Sequence, residues 1–443
     1  MQPSLTEQLA KWLIEQRTMG IPDNILDRAH YYTLDWLGSA LAGSNTEPGK
    51  MLLAYAQQQS STDMGNPCQI IGTDIYRSAE TAALVNGGLS HIVEMDDLDR
   101  GSVLHPATVV IPAALALKDR LGLSGREFLS AVVVGYEIAI RIGEAVGKGH
   151  YYYFHNTATC GIFGAAAAAG WLLGLNTEQL VWALGNAGTQ AAGLWQFNNE
   201  GDMSKHLHAG IAASHGLRAA DLAAHNFTGA RHILEGERGF LAAMAPDAEP
   251  SKIVAMLGQS PYKIHGVSIK PHSSCRHTHP AVDAALTIRA RLNERFNDWA
   301  VQSCQVDTYQ AALDLCDNPD PQTPYAAKFS LYYCVASALV NGQVGLVNFT
   351  PTAIQKPSVR QQLSGITVRC DSEFEERYPR EWPARVTVTL TDGTQICEQV
   401  DHPKGDPENA LTLDELTVKF RDLAAFGGHD QNVDRWLQLV VGS

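Results

Sequence analysis

The sequence predicts a mainly α protein in which a large all-helical domain is joined to a smaller α+β domain. Three observations predict it. Apolar residues recur at intervals of three and four from Leu5 to about Glu235, the spacing of amphipathic helices. Alanine and glycine crowd into residues 165–170, 187–193 and 209–213, where small side chains would let helix axes approach closely at the centre of a bundle. After about His265 the pattern changes to period-two alternation, with an Asp392-Gly393 pair between two alternating runs. At 443 residues the chain exceeds what one hydrophobic core usually serves, so two domains are expected. We place the helical domain at residues 1–266 and 403–443, discontinuous in sequence, and the α+β domain at 267–402.

The first helix follows from Ala10, Leu13 and Ile14, and the second from Ala29, Tyr32, Leu34 and Leu37. Ser124-Gly-Arg-Glu127 spells a capping box, in which serine and glutamate satisfy each other's open backbone N–H groups, ahead of a helix over Phe128 to Ile142. Thr157 to Leu175 holds nineteen uncharged residues, long enough to suggest a membrane span. Its alanines and glycines gain little from hydrocarbon and no cationic flank sets an orientation, so a buried core helix is expected. In the second domain the segments 301–308, 366–370 and 385–390 alternate, and 395–400 closes a hairpin with the last of them. Helices are expected between these strands over Pro280–Phe296 and Ala326–Asn341. His402 to Pro407 reads as a turn-rich linker. Thr412-Leu-Asp-Glu415 then opens a helix to about Ala425, ended by Gly427-Gly428. That helix has no core of its own and is expected to return to the helical domain.

Hydrophobic residues make up 45% of the chain and charged residues only 18%, the balance of a well-buried globular protein. The formal charge is 33 − 47 = −14, and no run of five or more basic residues occurs. Nucleic acid and acidic membrane surfaces are therefore excluded as partners, whereas a small anion could bind where a few cations focus in one pocket. Eight cysteines are spread without a Cys-x-x-Cys pair, and MQPSLTEQLAKWLIEQ lacks the long apolar core of a signal peptide. Reduced thiols in the cytoplasm are expected.

Thirteen of the sixteen histidines fall between His91 and His279, so the chemistry is sought there. His91-Ile-Val-Glu-Met-Asp96-Asp97-Leu-Asp99 runs on to His105-Pro106 and places four acids and two histidines beside an apolar segment. Such a set can hold a divalent metal, or one carboxylate can raise the proton affinity of another; a solvated helix terminus is the plain alternative. His150-Tyr-Tyr152-Tyr-Phe-His155-Asn-Thr157 puts ring nitrogens and hydroxyls at the mouth of an Ala-rich helix, which suits an anion as well as it suits an aromatic plug. Lys205, in Lys205-His206-Leu-His208-Ala-Gly210, precedes a small-residue helix; its ammonium either clamps a carboxylate near a buried surface or snorkels to solvent. Lys270-Pro-His272-Ser-Ser-Cys275-Arg276-His277-Thr-His279 lies where the composition changes and lacks the spacing of four-ligand zinc motifs.

Assembled in order, these segments resemble the MmgE/PrpD family, which includes 2-methylcitrate dehydratase, cis-aconitate decarboxylase and iminodisuccinate epimerase. The resemblance runs through His91-x-x-Glu-x-Asp96-Asp97, Leu104-His105-Pro106, His155-x-Thr157-x-x-x-Gly161-x-Phe163-Gly164 and Lys205-x-x-His208-Ala-Gly210. It continues in Lys270-Pro-x-x-x-Cys275-Arg276-x-x-His279, Ala327-Lys-Phe-Ser330 and Pro403-Lys-Gly405-Asp-Pro407. It implies a homodimer, a smaller α+β lid on the helical domain, and an active site without cofactor or metal for di- or tricarboxylates. By motif, Asp97, His105, His155, Lys205 and Lys270 are the implied catalytic positions, joined by a tyrosine at Tyr152, near where epimerase-like members use one as acid/base. His91, Thr157, His208, Cys275, Arg276 and Tyr333 are the implied substrate-binding positions. Cys275 occupies the place where decarboxylase members carry a histidine, which argues against decarboxylation.

Dehydration and epimerisation both begin by removing a proton next to a carboxylate, so negative charge builds on an anionic group. We expect Lys205, Lys270 and Arg276 to grip carboxylates, His105, His155 or Tyr152 to move protons, and Asp97 to orient its histidine neighbour. Two other readings are carried forward. In one, Asp96, Asp97 and Asp99 hold magnesium for diphosphate chemistry. In the other, the pocket is a carboxylate-binding module without catalysis.

Overall fold

The computed structural model describes residues 3–60, 66–259, 261–296 and 298–441. The protein is mainly α with a smaller α+β part, and its residues gather in two compact units. One comprises Met1–Ile92, Asp96–Val267 and Thr412–Ser443; the other comprises Val93–Met95 and Ser268–Leu411.

In the first unit, helix Leu5–Met19 starts at a capping box between Ser4 and Glu7. Its Arg17 reaches the carbonyls of Gly170, Trp171 and Leu175, so a guanidinium meets the open end of helix Gly161–Leu172. That helix is buried along its whole length among helices Ala107–Leu121, Gly125–Ala145 and Ser204–Ala224. Among the described residues no helix is long and apolar enough to cross a membrane. The segment expected to be one long helix from Thr157 is two, Asn156–Thr159 and Gly161–Leu172, and Thr157 lies inside the short one instead of capping the long one. The Ala-rich stretch 187–193 also differs from expectation. Helix Thr177–Gly188 ends within it, and Gly193 leaves its carbonyl to accept from His155 N at 2.9 Å.

Helix Ala79–His91 packs along Ser204–Ala224. A Cβ on Gly210 would stand 2.2 Å from the Leu84 carbonyl oxygen, so only glycine fits there. Helix Leu413–Phe426, capped by Thr412 and Glu415, packs on helix Asp23–Ser44, where Lys419 and Asp35 form a buried ion pair.

The second unit is built on a four-stranded sheet in the order Ile366–Cys370, Val301–Thr308, Ala384–Leu390, Gln395–Val400. The first pair is parallel and the other two are antiparallel. In Ala384–Leu390 every second residue is buried, as the alternation requires, and Gly393 with φ 86° closes the hairpin. Helices His279–Arg295 and Leu331–Asn341 pack together, and the first also packs on the hairpin strands. The helix expected over 326–341 is broken: Pro324–Lys328 ends, and Ser330 accepts from Tyr333 N to cap a new one. His402 to Pro407 is an anchor, not a linker. Gly405 O accepts from Ile269 N at 2.9 Å, and buried Asp406 takes the Ser268 hydroxyl at 2.6 Å.

Candidate active site

In the first unit the ends of several helices supply the predicted residues. His91 is the last residue of Ala79–His91, His105 stands just before Ala107–Leu121, His155 directly precedes Asn156–Thr159, and Lys205 and His208, three residues apart, lie near the start of Ser204–Ala224. His105 and His155 are 4.8 and 5.5 Å from the His91 ring, the latter nearly parallel to it, and His155 lies 5.7 Å from His208. Trp195 packs on His155 at 4.8 Å and Phe197 on His208 at 5.3 Å, closing the group with apolar walls.

Asp96 ties two of these rings together. Its Oδ2 is 2.6 Å from His91 Nδ1 and 3.1 Å from His105 Nδ1. His105 Nδ1 is also 2.5 Å from the Asp97 carbonyl, which can only accept, so Nδ1 carries the proton and Nε2 is the basic nitrogen. The His105 amide in turn donates to Thr157 Oγ1 at 3.1 Å. Asp97 caps helix Ala107–Leu121 through Ala107 N at 3.0 Å and accepts the Tyr136 hydroxyl at 2.8 Å. Burial pushes the Asp97 carboxyl well above the usual carboxylate range, although the Tyr136 and Ala107 bonds oppose the shift.

Burial also holds two imidazoles neutral. His155 is pushed well below the usual histidine range by desolvation, then by His91, Lys205 and its other neighbours. His208 falls to about 4 through desolvation, then His91 and Lys205. The buried Lys205 ammonium therefore lies close enough to act on both. His91 Nε2, His155 Nδ1 and His208 Nδ1 are buried without a hydrogen-bond partner. Leaving one such group unmatched costs about 1–3 kcal/mol, so three in adjoining rings mark a place for a polar ligand.

The second unit gathers a different set. Buried Lys270 Nζ is 3.3 Å from Glu94 Oε2. Tyr325 feels both Glu94 and Cys275, and burial raises its hydroxyl well above the usual tyrosine range. Cys275 hydrogen-bonds Cys316, whose thiol burial likewise raises. Lys328 gives its carbonyl to Cys275 N at 2.9 Å.

Thus Asp97, His105, His155, Lys205, His91, Thr157 and His208 come together in the first unit, while Lys270 and Cys275 share surroundings in the second. Three predicted residues stand elsewhere. Tyr152 is 72% exposed with its ring on Tyr153 at 4.8 Å, outside the histidine group. Arg276 is committed to Asp406, to the Pro403 and Lys404 carbonyls and to His279 Nδ1, so it holds the chain in place instead of awaiting a carboxylate. Buried Tyr333 donates its hydroxyl to the Asn348 carbonyl. Asp96, Glu94, Tyr136 and Trp195 were not among the predicted site residues. Asp96 and Glu94 were visible in the acid-rich run, but Tyr136 and Trp195 sit in ordinary apolar surroundings and carry no local signal.

His91, Asp96 and His105 also place three ligand-type atoms within 4.8 Å of one another. Both Nδ1 atoms point N–H at oxygen, which leaves no lone pair for an ion there. The three aspartates do not pool their oxygens either, since Asp99 accepts from Ser102 N and Oγ while Asp96 and Asp97 face the partners above. Burial and nearby Glu144 raise Asp99 to about 6.

A fold and a site of this kind define a class. The chain matches the MmgE/PrpD N-terminal domain over residues 7–253 and the MmgE/PrpD C-terminal domain over 272–441, and it belongs to that family. Among curated relatives, it is 28% identical to the cis-aconitate decarboxylase of Aspergillus terreus over 462 residues, 99% of this chain and 93% of that one. It is equally 28% identical to the cis-aconitate decarboxylase of Mus musculus over 439 residues, 95% and 87% of the two chains. A cis-aconitate decarboxylase-like protein of Aspergillus oryzae is 28% identical over 448 residues, 95% and 91%.

Proposed function

We propose that the protein is a cofactor-independent enzyme that removes a proton next to a carboxylate of a di- or tricarboxylic acid, in a hydro-lyase reaction. The observation that carries this reading is the buried group of imidazoles with unmatched ring nitrogens beside the Lys205 ammonium. A neutral imidazole accepts a proton at neutral pH, and a buried ammonium stabilises the charge left behind. His105 Nε2 is the base, because its Nδ1 is fixed as a donor. The hydroxyl departs as water with the proton that His105 has removed, and His155 and His208, held neutral, hydrogen-bond the leaving group. Lys205 takes a substrate carboxylate, such a preorganised contact contributing about 2.7–4 kcal/mol to the transition state, and Lys270 is the carboxylate-binding cation of the second unit. Asp97 moves no proton. It fixes His105 through its carbonyl and through the helix that follows.

The cis-aconitate decarboxylases among the relatives make aconitate-like acids the first substrates to test. Cys275, in the place expected of a histidine in decarboxylase members, favours loss of water over loss of carbon dioxide. An epimerase reading relied on the Tyr152 hydroxyl, whose surface position gives it no support. We further propose a homodimer, from family membership, and a cytoplasmic setting, since none of the eight cysteines forms a disulfide.

The test is an NMR screen of citrate-like, aconitate-like and aspartate-derived acids. Interconversion of an alkene and its hydrated acid is expected. Carbon dioxide release or a bare change of stereochemistry would replace hydro-lyase by another reaction type, and binding in a calorimeter without any turnover would leave a carboxylate-binding module.

A further inference from the structure

The chain leaves the helical unit after Ile92, gives Val93–Met95 to the second unit and rejoins the first at Asp96. One carbonyl of this strap takes two donors. Val93 O accepts from Lys328 Nζ at 2.7 Å and from Ser273 Oγ at 2.7 Å. Lys328 Nζ also donates to Ser273 Oγ at 3.1 Å and stands 5.6 Å from the centre of the Phe349 ring, so these contacts together set the position of one buried ammonium.

Two donors on one carbonyl fix the plane of the peptide between Val93 and Glu94. The next residue, Glu94, has φ 57°, a left-handed conformation that a glutamate seldom adopts unless its surroundings hold it. Its buried carboxylate then faces Lys270 Nζ. The order of dependence runs from Lys328 and Ser273 to the Val93 carbonyl, to the Glu94 backbone, and on to the Lys270 ammonium. A lysine has many rotamers, and an ion pair built on a pinned backbone removes most of them before a ligand arrives.

We infer that Lys328, together with Ser273, is a positioning residue that pins the 93–95 strap so that Glu94 aims the Lys270 ammonium. The inference rests on the proposed role of Lys270 as a carboxylate-binding cation. Lys328 itself touches no reacting atom in this scheme. It acts through two residues.

The test combines kinetics of Lys328→Met, Lys328→Arg, Lys270→Met and the double Lys328→Met/Lys270→Met variant with hydrogen exchange of the peptide spanning 92–98. Lys328→Met is expected to lower kcat/KM about 10- to 100-fold, Lys328→Arg to recover part of the loss, and the double variant to fall within about threefold of Lys270→Met alone. Amide exchange across the strap is expected to quicken at least ~10-fold in Lys328→Met. Losses that multiply in the double variant, or exchange unchanged from wild type, would overturn the inference. If Lys328→Met does not fold, Ser273→Ala removes one of the two donors and is read in the same way. A wild-type enzyme inactive on every polycarboxylate would instead defeat the functional reading, while the exchange measurement would still decide whether Lys328 pins the strap.

Discussion

At the scale of single residues, burial favours the uncharged form of several ionisable groups in the candidate site. His208 is held near 4 by burial first, then by His91 and Lys205. Lys205→Met removes one of these causes without changing burial much, so the His208 pKa should rise, and a two-dimensional NMR titration of labelled histidine reads the shift. The same substitution should lower kcat/KM by about 10²–10³, the loss expected when one preorganised charge contact disappears. Asp99 supplies a pH prediction with a definite sign. Its pKa is raised from the ordinary carboxylate value near 4 to about 6, so between those values the folded chain holds a proton that the unfolded chain has released. Its contribution to stability is whole below that window and is lost as pH rises through it, by about 3 kcal/mol at most. Thermal denaturation of wild type and Asp99→Asn from pH 4 to 7 should show the variant gaining on wild type as pH rises; a constant difference would show that this carboxyl does not titrate there.

At the scale of elements, the histidine group exists because helices end near one another, and the ends are set by close packing. Helices Ala79–His91 and Ser204–Ala224 carry His91, Lys205 and His208, and Gly210 lets them touch. Gly210→Ala would drive a methyl group into the Leu84 carbonyl, so a loss of about 1–3 kcal/mol is expected in chemical denaturation, together with reduced turnover. The element types were legible in the sequence wherever a local rule decides them: capping boxes at Ser124 and Thr412, the Asp392-Gly393 hairpin, and alternation in 384–390. Breaks made by a single side chain were not. Ser330 caps helix Leu331–Asn341 directly after Phe329 ends the preceding helix, and Cys160 lies between two helices in an unbroken uncharged run. Helical periodicity continues through both, so nothing in the spacing announces them.

At the scale of the whole chain, segments far apart in sequence complete one core. Lys419 and Asp35, 384 residues apart, form a buried pair between helix Leu413–Phe426 and Asp23–Ser44. Lys419→Met should destabilise the helical unit by about 3–5 kcal/mol, because it takes the cation of a buried ion pair away from its carboxylate, whereas exposed Arg126→Met should change stability by less than ~1 kcal/mol. The candidate site was legible as a set of motifs, because histidines and acids beside apolar residues are rare enough to stand out. Roles were less legible. Arg276 and Tyr333 belong to matching motifs yet serve Asp406 and Asn348, since spacing cannot tell a side chain that binds a ligand from one that binds its own backbone. The most direct measurement is deuterium uptake from heavy water at the carbon next to a carboxylate, followed in wild type, His105→Gln and Lys205→Met with an aconitate-like acid and its hydrated form. Uptake in the wild type and its near-complete loss in both variants is the expected result; undiminished uptake in His105→Gln and Lys205→Met, with both proteins folded, would contradict it.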